Sequence, residues 1–480
     1  MPKFSTDTRV DTVIVGGQIV GSSQVYDSSI AIKGEKIVAI GPEQLLPEAD
    51  RYIEAHGKFV LPGLIDSHVH LDGHDNYALG SRAAASAGLT TLVPFGTYNL
   101  EGDETLPEAI IRSKEEVESS ALTDFAFHFI LQNRPSILKS LPQALDLGVK
   151  SFKMFMTYKK RPYRMCDDDY ICETMEMVSK GNGLLQLHCE SGNIIEYLEN
   201  KLIDSGHTHP TDFPSACPDW AEEEAINRAV KMAHATNCPT YVVHLSTGLG
   251  LERIKQAQAS GQKIWTESCP QYLLLSDSAM AKFGPLAKIG PPLRPDDGQD
   301  RNSLWRGLEQ GHISIVASDH APYPKELKEP GWDNIFVDSQ GMSVPFGSPG
   351  VETIVPLMYS EGVVKRGLPI WWMARCLSEN PARVFGLFPR KGVIQVGSDA
   401  DLLIIDPNGD RVITAKDHHS NADYTLFEGW EVKGKPYMTF LRGQVLLNQG
   451  TLEQNPGYGV FLECEAVSYT HLTLTTICSV

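Results

Sequence analysis

The 480-residue sequence has no apolar run that approaches the roughly 18 residues of a membrane-spanning helix. Positive charge is also scarce, because 42 Lys and Arg stand against 60 Asp and Glu, for a formal net charge of −18. Nucleic acids and other polyanions are bound mainly by clustered basic side chains. The sequence therefore predicts a protein that binds neither a membrane nor a nucleic acid.

Paired cysteine motifs are absent as well. The nine cysteines are scattered between residues 166 and 478, and none has the Cys-x-x-Cys spacing. Neither a disulfide framework nor a zinc finger fits this distribution. The first residues, MPKFSTDTRVDTVIV, lack the apolar stretch of a secretion signal. We therefore expect a reduced, cytoplasmic protein.

Short β-branched runs separated by glycine-containing turns occupy both ends of the chain. Residues 1–60 include DTVIVGGQIV and SSIAIKGEKIVAIG, and residues 390–460 include DLLIIDP and WEVKGKPYMTFLRG. This pattern is typical of β-hairpins. Because the ends of a domain often lie close together, the two segments are predicted to form one small, discontinuous β-sandwich domain.

Residues 61–389 alternate between short apolar runs and amphipathic helical stretches, which is typical of parallel β/α units. Eight such apolar runs occur, the number that closes a (β/α)8 TIM barrel. They are FVLPGLIDSHVH, LTTLVPF, FAFHFIL, SFKMFM, GLLQLHC, TYVVHLS, KIWTESC and ISIVASD. We therefore predict an α/β protein with a catalytic barrel and a tail at residues 461–480. The last fourteen residues, VSYTHLTLTTICSV, resemble translated cloning sequence.

Several of the apolar runs end in a residue that can bind a metal. His68 and His70 close the first run, and side chains two residues apart on a strand point to the same face. His188, His244 and Asp319 end three later runs. Taken alone, each of these three is better explained as a core histidine bonded to a carbonyl, or as an aspartate that caps the next helix.

Taken together, these residues fall at strand ends, where barrel enzymes assemble their active sites. Their spacings agree with β/α units of roughly 30 or more residues each. Four imidazoles and one carboxylate suit a borderline cation such as zinc better than calcium or magnesium, which prefer oxygen ligands. The sequence therefore predicts a metal site inside the barrel.

In their order along the chain, the motifs resemble the cyclic amidohydrolases, most closely the dihydropyrimidinase/hydantoinase branch. The resemblance runs to about residue 460 and is carried by HVH after LPGLID, FKMFMTY, QLHCES, VVHLS, PPLR, ASDH and NPARVFGL. It implies a metal-dependent hydrolase that opens the ring of hydantoins or dihydropyrimidines to N-carbamoyl amino acids. It also implies a homo-oligomer, either a tetramer or a dimer.

The resemblance assigns metal ligands by position. Lys153, in FKMFM, matches a lysine that is carboxylated on its amine, so that its carbamate bridges two Zn²⁺ ions together with a hydroxide. An unmodified lysine in this apolar run would bury an unpaired charge. The implied ligands are His68, His70 and Asp319 for one zinc, His188 and His244 for the other, and Lys153 for both.

The resemblance also assigns catalytic and substrate-binding residues. Asp319 would carry the proton of the attacking water to the leaving ring nitrogen, and Tyr158 would donate a hydrogen bond to the oxyanion. Gly290 and Phe346 stand where the branch has a serine and an asparagine that hold the cyclic imide. Backbone contacts survive such replacements, but the pocket wall must differ. Phe346 and Tyr163 are expected to favour an apolar ring substituent.

Two further interpretations stay open. The segment SDHAPYPKELK is more similar to allantoinases and dihydroorotases, so another cyclic ureide or imide is an alternative substrate. Dihydroorotate is disfavoured, because Asp72 stands where dihydroorotases carry an arginine for the substrate carboxylate. A non-catalytic scaffold related to dihydropyrimidinases is disfavoured too, because every metal-ligand position is filled.

Overall fold

The computed structural model describes residues 9–71, 74–96, 104–161 and 163–466. Asp72 and the tail segment 467–480 lie outside the described residues, so the expectations placed on them stay predictions. Within the described parts of the chain the strands form two nine-stranded sheets. One sheet is mixed and is built from both ends of the chain, and the other is parallel and curls into a barrel.

The small sheet joins N-terminal and C-terminal strands. Its members are β1 (Val10–Val20), β2 (Val25–Lys33), β3 (Lys36–Gly41), β4 (Ala49–Glu54), β5 (Phe59–Pro62), β15 (Leu402–Val412), β16 (Glu431–Leu441), β17 (Gln444–Asn448) and β18 (Thr451–Leu452). The strand order is β18-β17-β16-β15-β5-β1-β2-β3, with β4 paired to β1. The two halves meet where β5 and β15 pair antiparallel, as in the predicted discontinuous β-sandwich.

The small sheet buries one face, and the apolar side chains on that face pack its N-terminal and C-terminal halves together. Along β16 every second residue from Val432 to Pro436 is buried, as expected for a strand with one covered face. Ile30, Ile32, Leu402 and Phe440 belong to one apolar cluster that joins the N-terminal and C-terminal halves. Because β5 belongs to this sheet, the chain enters the barrel only after residue 62. The domain boundaries placed at residues 60/61 and 389/390 stay predictions.

The second sheet contains the eight predicted barrel positions. Its strands are β6 (Leu64–Val69), β7 (Leu89–Gly96), β8 (Asp124–Phe125), β9 (His128–Ile130), β10 (Ser151–Phe155), β11 (Leu184–His188), β12 (Thr240–Val242), β13 (Ile264–Ser268) and β14 (Ile315–Val316). The third barrel position is split between β8 and β9, both paired with β7. A parallel bridge between Val69 and His320 joins the first position to the last. The fold is therefore the predicted (β/α)8 barrel.

The helices lie mostly between consecutive barrel strands. They are α1 (Tyr77–Ser86), α2 (Leu106–Ser120), α3 (Pro135–Lys139), α4 (Leu141–Asp146), α5 (Asp168–Lys180), α6 (Gly192–Asp204), α7 (Phe213–Ala216), α8 (Asp219–Thr236), α9 (Gly248–Ala259), α10 (Pro270–Leu274), α11 (Ser278–Phe283), α12 (Gln299–Glu309), α13 (Lys325–Lys328), α14 (Ile354–Leu357), α15 (Ile370–Ala374) and α16 (Asn380–Val384). Two π-helical segments, Met358–Lys365 and Arg375–Glu379, continue α14 and α15. Among the described residues, no helix has the length and apolar character needed to cross a bilayer.

A buried ion cluster joins the barrel to the small sheet. Nζ of Lys391 lies 2.6 Å from Asp124 on β8, 2.9 Å from Asp399 and 2.6 Å from Asp401. Arg442 adds a second cation, 3.1 Å from Asp124. All of these side chains are almost completely buried, and the carboxylates raise the pKa of Lys391 against the opposing effect of burial.

We expect Lys391→Met to lower the free energy of unfolding by about 3–5 kcal/mol, because it would leave three buried carboxylates without their shared cation. Denaturant-induced unfolding measures this change. Lys36→Met is the matched control, since Lys36 pairs with Asp399 from a half-exposed position and should contribute about 1 kcal/mol or less. Equal losses in the two variants would contradict the structural role of Lys391.

Candidate metal centre

The barrel brings the predicted metal ligands to one end of its strands. His68 is the next-to-last strand residue of β6, Lys153 lies in the middle of β10, and His188 is the last residue of β11. His244 and Asp319 follow β12 and β14 by two and three residues. The histidines and Asp319 are thus at the carboxyl-terminal ends of parallel strands, which is the catalytic end of a TIM barrel, while Lys153 reaches the same pocket from within its strand.

His68 and His70 face the same carboxylate, as their spacing of two residues predicts. Oδ1 of Asp319 lies 3.1 Å from Nε2 of His68 and 3.7 Å from Nε2 of His70. The two rings are 5.4 Å apart. Side-chain atoms from these three residues lie close enough together to hold one metal ion.

Lys153 contacts His68 of this group and lines the same pocket as the other two histidines. Its Nζ is 2.9 Å from Nε2 of His68 and 4.4 Å from the centre of the Phe95 ring. The side chain is fully buried, and no carboxylate of the described residues forms a salt bridge with it. Burial lowers the pKa of Lys153 to about 8, so its amine is readily deprotonated.

His188 and His244 form the second part of the cluster. Their rings lie 4.4 Å apart at an angle of 72°, and the His244 ring is 5.4 Å from that of His68. Nε2 of His188 is 2.7 Å from the Glu190 carboxylate, which leaves Nδ1 available to a metal. Nδ1 of His244 is buried and has no hydrogen-bond partner within the described part of the chain.

The sequence alone did not point to a second set of residues, the carboxylates that form hydrogen bonds to the histidine rings. Nδ1 of His68 bonds to Glu267 on β13, which also accepts hydrogen bonds from Tyr241 Oη at 2.8 Å and from the His244 backbone N–H at 3.2 Å. Carboxylates of this kind orient metal-bound histidines and fix which ring nitrogen is free. The available signal was the charged Glu267 within the otherwise buried strand β13.

The backbone at the site is strained in the way expected of functional residues. Tyr158, His244 and Asp319 have positive φ values of 67°, 36° and 50°. They are three of the eight non-glycine residues with positive φ in the described ranges. Such conformations cost energy and persist where the surrounding structure enforces them, often at active sites. Here these backbone conformations occur where the chain leaves the carboxyl-terminal ends of β10, β12 and β14.

The protonation states of the donors fit a metal centre. Burial lowers the pKa of His188, and it lowers those of His70 and His244 well below the ordinary value, so all three are neutral ligands at pH 7. His68 differs from these three. Burial and the charge of Lys153 lower its pKa, but the nearby Glu267 and Asp319 carboxylates raise it by more, so its pKa lies above the ordinary value. Imidazoles with one carboxylate are suitable donors for zinc.

A pocket opens beside this cluster, with about 770 Å³ of space including its mouth. Tyr158, Gly290 and Phe346 line it together with Lys153 and Asp319. The Tyr158 ring lies 5.1 Å from those of both His188 and Phe346. Burial, followed by the nearby Glu190, raises the pKa of Tyr158 well above its ordinary value, so the hydroxyl remains a hydrogen-bond donor.

Gly290 lies directly against the Tyr158 hydroxyl, since a Cβ built on Gly290 would be 2.5 Å from that oxygen. The position therefore has no room for a side chain while Tyr158 keeps this place. Phe346 lies 4.2 Å from Nζ of Lys288, a buried lysine whose pKa burial lowers to about 7. Lys288 donates to the Ile335 and Val344 carbonyls and so supports the segment that carries Phe346.

The structure corrects one expectation about the pocket wall. Tyr163 is 53% exposed, stacks on Arg134 at 4.2 Å and does not line the pocket. Its place is taken by residues that sequence analysis did not single out, namely Arg161, Arg164 and Tyr323. The expectation that Tyr163 adds apolar surface for a ring substituent was therefore wrong, because its side chain turns outward from a residue with a φ of 58°.

Comparison with known proteins agrees with this geometry. Residues 59–446 match the model of the amidohydrolase family. D-hydantoinase of Geobacillus stearothermophilus is 34% identical over 464 residues, covering 94% of this chain and 96% of the relative. L-hydantoinase of Paenarthrobacter aurescens is 32% identical, covering 94% and 98%.

Solved structures give the same result. The crystal structure of dihydropyrimidinase from Brevibacillus agri NCHU1002 superposes with a TM-score of 0.89 at 33% identity, over 95% of this chain and 99% of that one. Sequence and fold thus agree over nearly the full length of these relatives. The chain belongs to the amidohydrolase family, in its dihydropyrimidinase/hydantoinase branch.

Proposed function

We propose that the protein is a binuclear zinc hydrolase that opens the ring of hydantoins or dihydropyrimidines to give N-carbamoyl amino acids. The observation that carries this proposal is the meeting of four histidines, one lysine and one aspartate at the catalytic end of the barrel, beside a pocket. Relatives named D-hydantoinase and L-hydantoinase, aligned over 94% of the chain, support the same reaction.

The proposed metal ligands follow the two groups in the structure. His68, His70 and Asp319 would hold one zinc, and His188 and His244 the other. When bound, the two ions supply a hydroxide nucleophile near neutral pH and polarise the substrate carbonyl. His70, His188 and His244, whose pKa values are lowered by burial, favour metal binding without prior loss of a proton, and the carboxylate bonds to His68 and His188 orient those two rings.

Lys153 is proposed to bridge the metals as a carboxylated amine. As a free ammonium it would be a buried cation with a histidine nitrogen at 2.9 Å, which is an unfavourable state. Once deprotonated, the amine would add to CO₂ and lose a second proton to form a carbamate, an anion whose two oxygens could each hold a metal ion. The space between His68 and the His188–His244 pair is where such a bridge is needed.

Asp319 and Tyr158 are proposed to do the proton transfer and oxyanion stabilisation. Asp319 lines the pocket, so it can accept the proton of the attacking water and return it to the leaving ring nitrogen. Tyr158, held protonated by burial, would donate its hydroxyl to the oxygen that becomes negative. Backbone groups at Gly290 and near Phe346 would position the imide beside that hydroxyl.

We expect Tyr158→Phe to lower kcat by about 10²- to 10³-fold with little change in KM, since one preorganised donor to the oxyanion is lost. Steady-state kinetics on a hydantoin measures this split. Tyr163→Phe is the matched control, because that tyrosine lies on the same loop but outside the pocket, and it should keep near-normal activity. A Tyr158→Phe variant with wild-type kcat would exclude the oxyanion role.

A substrate panel tests the reaction itself. Rates on 5-substituted hydantoins, dihydrouracil and allantoin are compared, products are identified by mass, and metal is counted per chain. We expect hydantoins or dihydrouracil to be opened fastest by protein that contains about two zinc ions. Faster turnover of allantoin would assign the allantoinase alternative. A folded, metal-loaded protein inactive on every compound would instead revive the scaffold interpretation.

We also propose a cytoplasmic homo-oligomer, either a tetramer or a dimer. All eight cysteines in the described part of the chain are unpaired, which suits a reducing compartment. Light scattering of the purified protein tests the assembly, and a monomeric mass at micromolar concentration would contradict it.

A further inference from the structure

The pocket is far more basic than the protein as a whole. The chain has a net charge of −18, yet Arg161 and Arg164 line the pocket beside Lys153, and Asp319 is the one carboxylate among the described lining residues. The metal centre accounts for Lys153 and Asp319. It does not account for Arg161, which is not among the proposed metal ligands.

Arg161 differs from the two basic residues immediately before it. Lys159 pairs with Glu196 at 2.8 Å and Lys160 pairs with Glu199 at 2.9 Å, both on α6. Arg161 has no carboxylate or carbonyl partner for its guanidinium within the described ranges. Of three consecutive cations on this loop, the one that lines the metal-site pocket is therefore the one left without an anion.

Aromatic rings hold both arginines in place. The Arg161 guanidinium lies 5.1 Å from the Tyr158 ring centre and 5.4 Å from that of Phe346. The Arg164 guanidinium lies 4.9 Å from the ring of Phe155. Such contacts position a guanidinium and remove part of its hydration. The planar set of donors of Arg161 has no carboxylate partner within the described ranges and can bind one.

A second cavity shows where a ring substituent can extend. It holds about 460 Å³ and shares Tyr158, Arg161 and Phe346 with the metal-site pocket. Arg161 therefore stands at the border between the two spaces. The wall of this second cavity also carries three glutamates, of which Glu196 and Glu199 pair with the two lysines and Glu190 contacts His188. A ring seated against Tyr158 can direct an anionic substituent only as far as this border, where the Arg161 guanidinium has no carboxylate partner among the described residues.

We propose that Arg161 binds an anionic substituent on the substrate ring, so that the preferred substrates are cyclic amides bearing a carboxylate side chain. This inference rests on the proposed function, since it names the substrate class of the same site. It replaces the expectation of a purely apolar substituent: Phe346 supports the arginine as well as the substituent's methylene groups.

A pair of nearly isosteric substrates tests the proposal. The first is 5-(2-carboxyethyl)hydantoin, and the second is its neutral amide, 5-(2-carbamoylethyl)hydantoin. Hydrolysis and calorimetric binding of both are measured for the wild type, Arg161→Gln and Lys159→Gln. Lys159 is the matched control, because it precedes Arg161 on the loop but is already paired with Glu196.

We expect the wild type to favour the acid over the amide by at least tenfold in kcat/KM. Arg161→Gln should raise KM for the acid about 10- to 100-fold and change the amide less than threefold, while Lys159→Gln should alter neither. Equal hydrolysis of acid and amide by the wild type would overturn the proposal. Equal losses on both substrates in Arg161→Gln would overturn it too, because the arginine would then act on the ring or on the newly formed product carboxylate.

Binding separates this inference from the proposed function. Tight binding of the acid that is lost in Arg161→Gln, without hydrolysis of either compound, would support the anion site and contradict the reaction. Hydrolysis of both compounds without discrimination would support the reaction and contradict the anion site. Failure of both compounds to bind or react would overturn both.

Discussion

Lys153→Ala should reduce kcat/KM for a hydantoin by roughly a thousandfold or more and should release most of the bound metal. The variant loses the buried side chain whose ammonium lies 2.9 Å from Nε2 of His68, in the pocket that His188 and His244 also line. Added short carboxylic acids, such as propionate, should restore part of the activity by supplying the missing bridging carboxylate. Steady-state kinetics and metal analysis of the purified variant measure both effects.

Lys150→Ala is the control for this variant. Lys150 directly precedes β10, and its ammonium donates to the Leu145 carbonyl at 2.7 Å, away from the pocket lining. It should therefore keep its metal and near-normal activity. Full activity and metal content in Lys153→Ala would show that the lysine does not bridge the metals. Activity lost without loss of metal would reduce its role to positioning.

Asp319→Asn should lower kcat by about 10²- to 10⁴-fold, because the amide cannot carry a proton from the attacking water to the leaving nitrogen. The amide keeps the size of the side chain and one oxygen facing His68 and His70, so part of the metal should remain bound. Single-turnover kinetics with metal-loaded protein measures the chemical step apart from metal loss.

Asp333→Asn is the matched control for Asp319, since Asp333 is an exposed aspartate of the segment that follows α13. It should leave kcat unchanged. If metal-loaded Asp319→Asn hydrolysed substrate within a fewfold of the wild-type rate, proton transfer would have to be assigned to another group. Glu190 would then be tested next, because it lies beside His188 and influences the Tyr158 hydroxyl.

The barrel itself could be predicted because it depends on local pattern. Eight apolar runs in alternation with amphipathic stretches correspond to the eight strand positions, and β5 and β15 join the chain ends as predicted. The split of the third position into β8 and β9 could not be read from FAFHFIL, which is continuously apolar. That break depends on contacts with neighbouring strands and with residues near the carboxyl end, including the Phe125–Phe461 bridge.

Part of the site could be predicted in the same way. His68 and His70 share a face because side chains alternate along a strand, and the structure places both beside Asp319. The roles of Lys153 and Tyr158 came from resemblance alone, because neither spacing nor composition distinguishes a carboxylated lysine or an oxyanion donor. The structure shows Lys153 buried beside His68 and Tyr158 half-buried beside His188, but it does not by itself assign their chemistry.

The sequence by itself determined the strands, their order and the ligands presented at their ends, since strand periodicity and chain order are local properties. Only the tertiary structure decided which side chains meet across the barrel. Glu267 bonds to His68 from 199 residues away, and Lys159 and Lys160 pair with carboxylates on α6 while Arg161 has no carboxylate partner among the described residues. Tyr163 turns out of the pocket. Such pairings depend on distances between elements remote in sequence, so the histidines and the aspartate at the strand ends could be predicted, whereas the partners of these side chains could not.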